Sequence, residues 1–180
     1  MNDTQSQPVD VQQMINWVAA GERSADDLKI GTEHEKFLFH RTDLSPVAYD
    51  GETGVGALLE RLLTELGPGA EPILEKGKVI GIRSDEGGSV TLEPGGQLEL
   101  SGAPLDNLHE TCRETGRHLR HMREAARPLD IGMLGVGFHP TASREDISFM
   151  PKGRYGIMSR HMPKVGKLGL DMMLRSCTVQ

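Results

Sequence analysis

Between Ser89 and Ser101 the chain reads Ser-Val-Thr-Leu-Glu-Pro-Gly-Gly-Gln-Leu-Glu-Leu-Ser, which sets three oxygen-bearing side chains, Glu93, Gln97 and Glu99, around a Pro94-Gly95-Gly96 turn. In an extended strand successive side chains alternate faces, so Gln97 and Glu99 point one way and Leu98 and Leu100 the other, into a core. Proline followed by two glycines interrupts the ladder and bends the backbone, which brings Glu93 towards the other two. Taken alone, this pattern describes a half-site for a hard cation or, equally, a solvated strand face beside a loop. A second pair meets it: Glu33 and Glu35 lie two apart in Leu28-Lys-Ile-Gly-Thr-Glu-His-Glu-Lys-Phe-Leu-Phe39, a run read as a strand. Two such strands side by side would gather four or five oxygen ligands, the kind that magnesium takes together with waters and substrate phosphates. His34 and Lys36 fall on the opposite face.

The chemistry of the other sign lies between Met150 and Gly169. Lys152, Arg154, Arg160, His161, Lys164 and Lys167 occur there with no acidic residue between Asp146 and Asp171, among repeated glycines and prolines. This predicts a positive loop in an otherwise acidic chain. Arginine holds a carboxylate or phosphate through paired hydrogen bonds, and lysine brings a mobile charge to the same ligands. A basic surface loop without a ligand is the alternative.

The elements that must position these groups follow from periodicity. The chain has 180 residues, a formal net charge of -6, 37% hydrophobic and 26% charged residues. That composition supports one globular domain, or part of a larger one. The acidic balance argues against general nucleic-acid binding. No apolar run approaches the roughly 18 residues of a membrane span. Two cysteines, Cys112 and Cys177, make no disulfide framework and no zinc spacing. With no secretory signal at the N-terminus, the expected compartment is the cytoplasm.

Residues 1–9 are expected to form a flexible arm, and Asp10 to cap a helix that packs through Val11, Met14, Ile15 and Val18 and ends at Gly21. A helix from Val55 to Leu66 stops at Gly67-Pro68-Gly69. Ile73 to Ile82 reads as a hairpin turning at Lys76-Gly77. After Pro104 a long helix to about Ala126 is expected to bury Leu105, Leu108, Cys112, Thr115, Leu119, Met122 and Ala126, leaving His109, His118 and His121 solvated. Ile131 to Phe138 fits a strand buried on both faces, and a last strand is expected from Asp171. The element order predicts an α+β fold with a mainly antiparallel sheet covered by helices.

Four segments together resemble the glutamate-cysteine ligases of the plant and proteobacterial type: Gly31-Thr-Glu-His-Glu-Lys-Phe37, Leu92-Glu-Pro-Gly-Gly-Gln-Leu-Glu-Leu-Ser-Gly-Ala-Pro104, Met150-Pro-Lys-Gly-Arg-Tyr155, and Met162 to Arg175 leading into Cys177-Thr-Val-Gln180. The resemblance runs from about residue 10 to the end and covers only the first part of the family. It implies that residues 10–180 are the N-terminal part of one catalytic domain with a glutamine synthetase-like carboxylate-amine ligase fold. It also implies ATP-dependent joining of the glutamate side-chain carboxylate to the amine of cysteine, with ATP and Mg2+ required. Through it, Glu33, Glu35, Glu93 and Glu99 are expected metal ligands, with Gln97 and Lys152 beside the nucleotide. Arg154 and Lys152 are expected in catalysis, and Arg154, Tyr155, Thr178 and Gln180 in substrate binding. Cys112 matches a cysteine that in plant members pairs with one far downstream; a buried free thiol is the expectation kept here. The partners implied are glutamate, cysteine and ATP, with no nucleic acid and no membrane, and a homodimer is compatible. Two alternatives stay open: another carboxylate-amine ligase of the same superfamily, and a fragment that binds glutamate or magnesium nucleotide without catalysis.

Overall fold

A computed structural model describes residues 9–179. A six-stranded antiparallel sheet in the order β2-β3-β4-β5-β1-β6 organises the chain. Its strands are β1 (Glu33–His40), β2 (Ala70–Glu75), β3 (Lys78–Ser84), β4 (Ser89–Leu92), β5 (Leu98–Ser101) and β6 (Ile131–Leu134). The helices are α1 (Val11–Ala19), α2 (Val55–Leu66), α3 (Leu108–Ala126), α4 (Gly153–Val165) and α5 (Gly169–Arg175). The expected α+β architecture is therefore present. Among the described residues no helix is long and apolar enough to cross a membrane.

Helices α2 and α3 cover one face of the sheet. The apolar positions of α2, namely Val55, Leu58, Leu59 and Leu62, recur three and four apart and are buried. They meet Leu38, Ile82, Val90, Leu92 and Leu98, which alternation directs to that side of their strands. Met122, Ala125 and Ala126 of α3 complete the layer. The β2–β3 hairpin turns where the sequence predicts, with φ of 51° at Lys76 and 79° at Gly77, the paired positive values that match strand twist.

Several expectations fail, each for a tertiary reason. Helix α1 forms with a capping box between Asp10 and Gln13, yet none of its residues is buried and Trp17 is 81% exposed. Its amphipathic face lacks a partner among the described residues. The buried stripe of α3 is Thr111, His118, Met122, Ala125 and Ala126. The helix is thus rotated from the expected stripe, which exposes Leu108 and Cys112 and buries His118. Strand β6 ends at Leu134, and Val136 and Phe138 are exposed rather than inside.

The basic stretch is the helix α4, not a loop. Glu75 Oε1 accepts the N–H of Gly153 at 2.7 Å at its first turn, and Pro163 lies in its last turn, where the missing N–H costs one i→i−4 hydrogen bond. Tyr155 anchors it, 1% exposed in the core. The residues from Gly169 also form a helix, α5, whose Met173 and Leu174 pack on Ala142 and Ile147. Only after Arg175 does the chain extend, with Val179 bridging His34.

Candidate active site

The open face of the sheet carries the acidic side chains. Register places Glu35 directly opposite Glu99 and Glu99 opposite Thr91, so these three form one row across β1, β5 and β4. Glu33 belongs to the next row, opposite Ser101. Two residues of strand separate the rows, about 7 Å. Ser101 donates its hydroxyl to Glu99 Oε1. Glu35 is held by a single residue from the far end of the chain: the N–H and the hydroxyl of Thr178 each reach its carboxylate at 2.9 Å.

Glu93 leaves β4 at a tight turn, its N–H donating to Gln97 O at 2.8 Å and its C=O accepting from Gly96 N–H at 2.9 Å. Gly96 adopts φ +82°, a conformation that costs a side-chain-bearing residue steric strain. The Glu93 carboxyl is raised above the usual range, first by burial and then by repulsion from Glu99, with Glu35 adding to it. Lys152 and Arg154 pull the other way.

The positive side chains come from the start of α4. Arg154 Nη2 stands 3.5 Å from Glu93 Oε1 and donates to the Tyr155 hydroxyl at 3.2 Å. Most of its guanidinium remains open to solvent. Lys152 is half-buried and donates to Leu92 O at 2.6 Å; burial lowers its pKa, with Arg154 adding to the effect. Tyr155 donates to the same carbonyl at 2.5 Å, and burial pushes its phenol up to about 12. Tyr155 is therefore a core anchor that stays protonated, and its ring backs both cations, with Lys152 Nζ 5.5 Å and the Arg154 guanidinium 5.0 Å from its centroid.

Glu35, Glu93 and Thr178 form the polar side of a cleft of about 220 Å³, with Met158, Met172 and Met173 as an apolar wall. The structure brings Glu35, Glu93, Glu99, Lys152, Arg154 and Thr178 around this end of the sheet. Glu33 stands one row off, and Gln97 is buried with both ends of its amide engaged by backbone. Gln180 lies outside the described residues. Among the described residues no three His, Cys, Asp or Glu side chains are gathered closely enough to hold a metal ion. The four-glutamate cage expected from the strands is thus not assembled, because the register separates Glu33 and Thr178 occupies Glu35. The methionine wall was not anticipated, although five of the nine methionines fall between residues 150 and 173.

Comparison with known proteins decides the family. The model of glutamate-cysteine ligase family 2 matches residues 29–180. The chain belongs to this family. It is 47% identical over 175 residues to the chloroplastic glutamate-cysteine ligase of Arabidopsis thaliana, covering 97% of this chain and 32% of that protein. The Brassica juncea enzyme is also 47% identical over 175 residues, again across 97% of this chain and 33% of its own length. Glutamate-cysteine ligase A of Oryza sativa subsp. japonica is 44% identical over 176 residues, covering 97% of this chain and 34% of its own. The chain spans about a third of the length of the curated relatives it matches. The expected cytoplasmic location is overturned, since each of these relatives is named as chloroplastic. The two cysteines and the absence of a secretory pattern do not separate the cytoplasm from another reducing compartment.

Proposed function

We propose that this chain is the N-terminal part of the catalytic domain of a glutamate-cysteine ligase, an enzyme with a glutamine synthetase-like fold that uses ATP to join the glutamate side-chain carboxylate to the amine of cysteine. The observation that carries the proposal is the meeting of Glu35, Glu93 and Glu99 with Arg154 and Lys152 on one open sheet face in a chain of this family. A ligase of this type must bring two anions together, the glutamate carboxylate and the ATP phosphates, and an acidic floor alone would repel both.

The donor chemistry fits a hard divalent cation. Carboxylates supply oxygen ligands only, and the Glu93 carboxyl, raised first by burial and then by repulsion from Glu99, is one whose charged form a cation would favour. With no three carboxyls gathered closely enough among the described residues for a protein cage, Glu93 and Glu99 would hold magnesium together with waters and phosphate oxygens, whose charge it would neutralise. Arg154, whose guanidinium has no bidentate protein partner among the described residues, binds and orients the carboxylate or the transferring phosphoryl group. Lys152 supplies a second positive charge, and its contact with Leu92 O keeps that charge at the end of β4. Thr178 fixes the direction of the Glu35 carboxylate. The methionine wall excludes water from one side of the cleft, which strengthens the electrostatics within it.

The deciding experiment measures ADP release by the full-length protein with glutamate and a panel of amines. Cysteine-dependent turnover, abolished in Glu99→Ala, is expected. Turnover indifferent to cysteine would move the assignment to another carboxylate-amine ligase.

A further inference from the structure

Gln97 is 2% exposed, and its carboxamide joins two parts of the chain that are 76 to 79 residues apart. Its Oε1 accepts the N–H of Gly95 at 2.8 Å. Its Nε2 donates to Met173 O at 3.2 Å and Ser176 O at 2.7 Å. Those two carbonyls sit at the end of α5, where the last C=O groups have no intrahelical donor. A neutral amide is the side chain that fits: one acceptor for the turn and two donors for the two carbonyls.

The backbones also touch directly. A Cβ at Gly95 would lie 2.6 Å from Leu174 O, so a side chain there would push α5 away from the turn. Two residues beyond Ser176 stands Thr178, whose N–H and hydroxyl fix Glu35 and whose C=O accepts the Glu35 N–H at 3.0 Å. The Glu93 turn, the end of α5 and the Glu35 carboxylate are thus consecutive links with Gln97 as the first.

We infer that Gln97 is the positioning residue of the cleft: its buried amide pins the end of α5 to the Glu93 turn and thereby sets Thr178 on Glu35. The consequence for catalysis rests on the ligase proposal above; the coupling itself does not. The substitution Gln97→Glu tests the hydrogen-bond polarity. While the introduced carboxyl is protonated it keeps one donor, whereas its ionised form turns a carboxylate onto two carbonyl oxygens and releases them.

The test is amide hydrogen exchange on this chain, followed residue by residue by NMR. In Gln97→Leu the Thr178 and Glu35 amides are expected to exchange about tenfold faster or more, the size of effect that follows from losing buried hydrogen bonds. Amides of the β2–β3 hairpin keep wild-type protection and report that the sheet persists. In Gln97→Glu, protection at Thr178, corrected for intrinsic rates and taken relative to the wild type at the same pH, falls as pH rises. Wild-type exchange at Thr178 and Glu35 in Gln97→Leu would overturn the inference, and so would a flat profile in Gln97→Glu. If Gln97→Leu does not fold, Gln97→Asn, which keeps the amide but withdraws it from the two carbonyls, takes its place under the same criteria. In the full-length enzyme Gln97→Glu is expected to raise the KM for glutamate several-fold with a smaller change in kcat, and adding Thr178→Val adds nothing further. A full-length wild type without turnover would sink the ligase proposal and leave the exchange result standing.

Discussion

Acid should destabilise this fold most strongly through His118. His118 sits on the buried stripe of α3, 7% exposed, with its Nε2 lacking a hydrogen-bond partner among the described residues. Burial is the first cause that pulls its pKa from 6.5 down to about 3; Lys36 and His34 across on β1 and His121 on its own helix add positive charge to the same end. Because the folded value lies below the unfolded one, the unfolded chain takes up the proton first as pH falls. The contribution is fully present above pH 6.5 and is lost progressively between pH 6.5 and pH 3. The whole window corresponds to roughly 5 kcal/mol, and its first part, down to pH 5, to about 2 kcal/mol. His34 and His139, also lowered by burial, act in the same direction, so the comparison must be made against a variant. His118→Phe keeps a ring of similar volume and removes the titration. Urea unfolding at pH 7, 6 and 5 is expected to show wild type losing about 2 kcal/mol more than the variant, equivalent to about 4–8 °C in Tm. Parallel stability curves for the two proteins would refute the account, since His118 would then be no less accessible to a proton in the folded state than in the unfolded one.

Three further outcomes are expected. Tyr155→Phe removes a buried hydroxyl from Leu92 O, but Lys152 still donates to that carbonyl, so the loss by urea unfolding is about 1 kcal/mol. Gly95→Ala forces a Cβ to 2.6 Å from Leu174 O and should cost about 1–3 kcal/mol, with faster exchange at Thr178 as its local signature. Lys152→Met removes a charge that holds the Glu93 carboxyl down, so Glu93 should titrate at a higher pH by carboxyl-detected NMR; an unchanged titration would show that the two do not interact.

Much of the fold was legible because local signals agreed with the tertiary result. Helix α2, the Lys76-Gly77 hairpin and the turn at Pro94-Gly95-Gly96 are all dictated by periodicity and backbone conformation. The pairing of Glu35 with Glu99 was legible only in part, since alternation assigns each to a face but says nothing of which strands become neighbours. The basic stretch from Met150 misled because glycine and proline weaken a helix locally, whereas the burial of Tyr155 and the contact from Glu75 to Gly153 stabilise one. The rotation of α3 had no sequence signal: Leu108 and Cys112 are as apolar as the residues that are buried, and packing against α2 and β1 chose His118 instead.

The sequence by itself determined the residue types, their alternation along strands and the four segments that carry the family. Those are properties of short stretches, written in spacing and side-chain chemistry. Only the tertiary structure decided that Glu33 stands one row from Glu35, that Thr178 returns from the far end of the chain to hold Glu35, and that Gln97 is engaged by backbone carbonyls. Each of these depends on which distant segments meet, and that is set by the burial of α2, Tyr155 and Met173 in the apolar clusters.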